Sequence, residues 1–365
     1  MRRDRTMSGA TIFISTLLVM LFTAAPLLAT GYPLSDIKKD QDYSNLVGIS
    51  PNGSHLVYTA KYGSQGATHL YSVPVDGGEP VRLSPDFPCG GGVATGIQPE
   101  INATSTHVVY RAWLSPGAPV EIFSVPITGG PSVQLSRELT AEEDAVYFFL
   151  SPDGASVVYT ISKNHLHELY SAPITGGPSV KLNNPLVSGG SVKSTGIQIS
   201  PDSTRVVYRA DQDTDEVDEL YSVPITGPAS AGVKLNWALV ADGDILDFSI
   251  SPDSSRVVYL ADQAVDATWE LYSTLITGGT IPVRLNPTLV SGGSVGEFEI
   301  SPDNSRVVYG ADQETVDTYE LYSVPISGGT AVKLNPALPA GGDVEWGFAI
   351  SPDSSRVVYV ADQDT

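Results

Sequence analysis

The sequence predicts an all-β chain folded as a β-propeller of four-stranded antiparallel blades, with six complete repeats and the first half of a seventh. Three observations predict it. One phrase recurs about every fifty residues, each copy divides into short β-branched runs between turn residues, and one of those runs is apolar on both faces. The phrase begins Ser-Pro-Asp or Ser-Pro-Asn and starts at Ser50, Ser151, Ser200, Ser251, Ser301 and Ser351. A degenerate copy starts at Asn102, and the spacings are 52, 49, 49, 51, 50 and 50.

The unit around Ser301 shows how each element is read. VGEFEI (295–300) is a first strand. SPDN is a type I turn, with Pro302 fixing φ at its second position and Asp303 suited to its third. RVVYGA (306–311) is a second strand, rich in β-branched and aromatic residues. DQETVDT is an acidic hairpin tip, YELYSVPI a third strand, and SGG a turn in which glycine takes positive φ. AVKLNP is a fourth strand, and a crossing segment then leads to the next unit. The VPI proline has no N–H, which places it at a strand end or bulge.

The second strand has Val307 and Tyr309 on one side and Val308 and Gly310 on the other. A four-stranded sheet with two apolar faces cannot stay exposed. Stacking such sheets around an axis buries both faces. The tyrosine of this strand recurs in all seven copies, from Tyr58 to Tyr359, and is read as core between blades. Units begin near 44, 96, 145, 194, 245, 295 and 344. A half unit ending on a hairpin tip would leave an open apolar edge, so the chain is expected to continue past Thr365.

SPDG or SPDS, an apolar strand and then ELYSVPITGG resemble the TolB-like β-propeller repeat, over about residues 44 to 365. The resemblance implies the fold; the family's propellers serve many tasks. TolB looks like a periplasmic partner-binding protein with an α/β domain ahead of its propeller. Here only about a dozen residues separate the leader from the first strand, so that domain is not expected. Similar propellers precede the catalytic domain of prolyl-oligopeptidase-type peptidases.

Charge narrows the partners. The chain has 20 Lys and Arg against 41 Asp and Glu, a net −21. Residues 1–31 hold three Arg and one Asp, so the rest carries 17 against 40, a net −23. Such a body repels nucleic acid and anionic membranes and favours cationic or metal-ion partners. The basic start, the apolar run from about Ile12 to Leu28 and the small residues Ala29, Thr30 and Gly31 have the layout of a cleaved secretory signal peptide. An uncleaved anchor is the alternative. Cleavage leaves a body, residues 32–365, with no membrane attachment, in a periplasm or outside the cell. A single cysteine, Cys89, forms no internal disulfide, so packing must supply the stability.

Candidate chemistry concentrates on the tips between second and third strands. In ADQDTDEVDE the carboxylates of Asp211, Asp213 and Asp215 have a spacing that can place three oxygens around calcium. This is not an EF-hand, because Glu216 stands where glycine is required. The other reading is a solvated charged tip that discourages edge pairing. Gly292-Gly293-Ser294-Val295-Gly296 matches a hydrolase elbow but lies on a crossing with no helix after it, so it is read as chance. His165 and His167, beside Glu168, would bind zinc only with help from another blade.

No convergent catalytic set is visible. The expected function is an exported, non-enzymatic, monomeric scaffold binding a protein or other ligand through its acidic loop face or central channel. The alternatives are the propeller portion of a peptidase or hydrolase, or a lytic enzyme with its site in the channel.

Overall fold

The computed structural model describes residues 41–62, 66–87 and 90–362; the leader and Cys89 lie outside them. Six sheets follow one another along the chain, each hydrogen-bonded in sequence order, and a two-stranded sheet comes last. The fold is a multi-bladed β-propeller. The fourth unit is typical, with strands Val192–Ile199, Arg205–Ala210, Glu219–Pro224 and Val233–Lys234. The last sheet pairs Val344–Ile350 with Val357–Ala361.

The expected strands are found with three corrections. Fourth strands are only two residues long, such as Val233–Lys234 and Val283–Arg284. One further bond prolongs the ladder, Leu235 N–H to the Leu220 carbonyl at 2.8 Å. First strands are bulged: in the fourth unit the pairing jumps from Val192–Ala210 to Ile197–Tyr208. In the second unit Gly92–Val93 and Glu100–Ile101 pair separately with His107–Trp113. Pro99, which lacks an N–H, stands immediately before the second segment.

The second strand is buried on both faces, as its composition requires. Val206, Val207 and Tyr208 are all buried. Val207 and Leu220 of the fourth unit pack with Phe248, Tyr259 and Tyr272 of the fifth, so this apolar cluster lies between two units, as do those at the other joints. Removing a Leu220-sized side chain from water stabilises by about 1.5–3 kcal/mol. Within each of the first six units the second-strand tyrosine stacks on the aromatic directly opposite it. Tyr208 and Tyr221 are one such pair, with centroids 5.4 Å apart and planes at 21°. Apolar side chains are exposed in the first and last units, with Leu46 61% and Val358 69% exposed.

The recurring Ser-Pro-Asp phrase builds a staple and a link. The Ser301 hydroxyl donates to Asp303 at 2.6 Å and accepts the Arg306 N–H at 2.9 Å. The Asn304 N–H closes the turn on the Ser301 carbonyl, and Asn304 itself takes φ +62°. This fourth position is left-handed in every unit: Gly53, Ser105, Gly154, Ser203, Ser254, Asn304 and Ser354. Its side chain reaches the preceding unit. Asp202 N–H donates to Ser254 Oγ at 3.0 Å, Asp253 N–H to Asn304 Oδ1 at 2.8 Å and Asp303 N–H to Ser354 Oγ at 3.0 Å. Gly154 has no side chain to accept such a bond. Across that joint Asn102 Nδ2 donates to the Gly154 carbonyl instead, at 3.0 Å.

Ser254→Ala removes the bond from Asp202 but keeps a Cβ in the left-handed region, so it should destabilise by about 1 kcal/mol. Ser254→Gly loses the same bond but relieves a backbone cost of about 1 kcal/mol, so it should lie close to wild type. Denaturant unfolding of the two variants measures the difference.

Candidate functional site

Most of the tip acid is engaged by the protein itself. Asp211 is buried; its Oδ1 accepts the Ser191 N–H at 2.6 Å and its Oδ2 lies 3.4 Å from Lys193 Nζ. Asp213 pairs with Lys234 at 2.7 Å. Asp215 is exposed beside Gly189, which has φ +92°. Asp211 and Asp213 thus pair with two different lysines, and Asp215 lies at the exposed tip. Among the described residues no three His, Cys, Asp or Glu side chains come together as a metal set.

The other tips repeat the arrangement. Asp262 accepts the Asp244 N–H at 2.6 Å on one oxygen and the Ala267 N–H at 2.9 Å on the other. Asp312 does the same with Ser294 and Asp317. Charge-assisted bonds to backbone N–H groups are strong, and here they tie tip to crossing. Ser294, in the elbow-like string, is thus a crossing residue. The glutamine after each Asp also has a role: Tyr208, Tyr259 and Tyr309 donate to Gln212, Gln263 and Gln313 at 3.0, 3.1 and 3.0 Å. Third-strand glutamates are likewise taken. Lys234 bonds both oxygens of Glu219 at 2.7 Å, and the Tyr221 hydroxyl donates to Glu219 at 2.9 Å. His167 is half-buried and its pKa is lowered, first by burial and then by His165. Its neighbour Glu168 bonds Lys181 and Tyr170.

A second acidic surface lies on the first strands. These strands lie side by side from unit to unit and form the inner wall. Gln198 Nε2 donates to the Phe248 carbonyl at 2.9 Å, and Glu297 Oε1 accepts the Gly347 N–H at 2.8 Å. Glu100, Asp247, Glu297 and Glu299 stand on this wall, and none is in an ion pair among the described residues. Solvent reaches Glu100, Asp247 and Glu299, yet surrounding protein removes much of their hydration. Desolvation raises the pKa of all four. Arg209 partly offsets this at Asp247, and backbone N–H groups partly offset it at Glu297 and Glu299.

Two arginines brace the same wall. Arg111 Nε donates to the Ala145 carbonyl of the next unit at 2.9 Å, and Arg209 Nη1 to the Ile245 carbonyl at 2.8 Å. A Cβ on Gly196 would lie 2.8 Å from Arg209 Nε, so glycine there leaves the arginine its path. The sequence reading missed the wall because it followed the consensus. The signal lay in positions where the repeats differ, such as the residue after the buried tyrosine.

No family model and no curated protein matches the chain. Among solved structures it is similar to a prolyl endopeptidase at 18% identity, over 87% of this chain and 46% of that one, with TM-score 0.47. It is similar to TolB from Acinetobacter baumannii at 15% identity, over 76% and 65%, with TM-score 0.35. An oligogalacturonate lyase in complex with manganese is similar at 14% identity, over 76% and 88%, with TM-score 0.41. The chain thus spans less than half the length of that endopeptidase. Its fold assignment rests on its own sheet topology. Among the described residues no helix is long and apolar enough to cross a membrane.

Glu100 tests the wall's electrostatics, because burial alone raises its pKa. The native state then binds more protons than the unfolded chain between the ordinary and the raised carboxylate pKa. Stability should fall as pH rises through that window. Glu100→Gln should therefore raise Tm at pH 7, and the gain should vanish well below the ordinary carboxylate range. Calorimetry at pH 3 and pH 7 checks both.

Proposed function

We propose that the chain is an exported, non-enzymatic β-propeller that holds a cationic protein segment against the inner wall of its first strands. The supporting observation is a difference in partners: buried tip carboxylates such as Asp211, Asp262 and Asp312 are bonded to the crossing backbone, while Glu100, Asp247 and Glu299 on the wall are reached by solvent and are in no ion pair among the described residues. Carboxylates held in a concave, partly desolvated wall interact with a cation more strongly than carboxylates on a solvated loop. Export rests on the layout of residues 1–31.

An octalysine peptide is a direct probe. The triple variant Glu100→Gln, Asp247→Asn, Glu299→Gln should weaken its binding by about tenfold or more, and the wild-type affinity should fall steeply with salt. The tip variant Asp215→Asn, Glu216→Gln should stay within about twofold of wild type. The opposite ranking would move the contact to the tips. Steady turnover of a glycan or peptide panel by the same preparation would replace binding with catalysis.

A further inference from the structure

The joint between the sixth and seventh units has a cleft, lined by Glu297, Gly310, Tyr319, Val344, Glu345 and Trp346 among others. Its frame matches two other joints. Asp144, Asp244 and Asp343 accept the N–H groups of Val120, Asp218 and Tyr319 at 2.7, 2.7 and 2.8 Å. Ala145, Ile245 and Val344 donate their N–H groups to the carbonyls of the same three residues at 2.8, 2.9 and 2.9 Å. In the first two joints the space beside this frame is crossed by the guanidinium of Arg111 or Arg209, which reaches the Ala145 or Ile245 carbonyl.

In the third joint the corresponding residue is Gly310, so no guanidinium is supplied. A Cβ added there would meet only Glu297, at 3.7 and 3.9 Å, an ordinary contact. The walls have become those of a cation site. Trp346 is 66% exposed although it lies on the sheet face turned toward the sixth unit, and its ring stands 5.5 Å from Tyr319 at 41°. Glu297 supplies negative charge, held in place by the Gly347 N–H. An aromatic face beside a carboxylate suits a planar, weakly hydrated guanidinium better than it suits an ammonium.

We infer that this cleft is a seat for an arginine side chain of a bound peptide, in the place where Arg111 and Arg209 put their own guanidinium groups in the equivalent joints. The peptide's guanidinium lies against Trp346, pairs with Glu297 and points toward the Val344 carbonyl. The inference deepens the inner-wall reading and rests on it, naming the side chain that the wall anchors.

The probe is Nα-acetyl-arginine amide, with the citrulline amide as its uncharged isostere. The full chain labelled with 5-fluorotryptophan gives one ¹⁹F signal for each of its four tryptophans. Trp346→Phe identifies the signal to follow. The arginine amide should shift that signal saturably, and the citrulline amide should bind about tenfold more weakly or worse. Gly310→Arg should abolish the shift, because the chain then fills its own seat. Should that variant fail to fold, Gly310→Leu, which carries the fifth unit's residue at this position, blocks the seat without charge and should give the same loss. Equal shifts with citrulline, no saturable shift, or undiminished binding by the blocked variant would overturn the seat. Octalysine binding by the wall is read separately through Glu100, Asp247 and Glu299, so loss of one reading leaves the other measurable.

Discussion

The second strand of each unit is apolar on both sides, and the remaining architecture follows from hiding it. One sheet offers cover for one face only. The other face must be covered by the next unit, so no unit is complete without neighbours. Val207 and Leu220 lie in one cluster with the aromatics of the following unit, and Val258 and Leu271 do so again one unit on. Stability is thus a nearest-neighbour property, as in other repeat arrays. The polar links of the Ser-Pro-Asp turns then fix the angle at which one sheet meets the next.

The abundant acid of this chain has two distinct physical roles. Buried aspartates such as Asp262, 3% exposed, accept bonds from backbone N–H groups that would otherwise be left without partners. They hold the tips in shape and have little capacity left for a ligand. Wall carboxylates such as Glu100 and Glu299 are reached by solvent, short of water and in no ion pair among the described residues. A net charge of −21 therefore overstates how much of the surface is available to a cation, and it does not indicate where that surface lies.

The repeat made the fold legible with unusual detail. Strand Arg306–Ala311 and strand Val295–Ile300 fall where the pattern puts them, and Pro325 ends its strand as a residue without an N–H should. Bulges in the first strands were not legible, because period-two alternation carries no mark for an inserted residue. The left-handed fourth turn position was hidden by Ser254 and Asn304, residues that pattern reading does not associate with positive φ as readily as glycine. The candidate site was least legible. The D-x-D-x-D spacing at Asp211, Asp213 and Asp215 carries no mark of Lys193 and Lys234, distant in sequence, which pair with Asp211 and Asp213. Gly310 and Trp346 depart from the repeat, and the pattern alone does not say what such departures do.

The reversed bond between Asn102 and Gly154 bears on how such an array can change length. At most joints the backbone donor of one turn meets a hydroxyl or amide of the next, so units can be exchanged without loss. Excising the fifth unit would set Asp202 against Asn304, whose amide oxygen now accepts the Asp253 N–H that leaves with that unit. Excising the second would set the Asn52 N–H, now bonded to Ser105, against Gly154, which has no side-chain acceptor. The second unit is therefore tied to the third by chemistry that the other joints do not use.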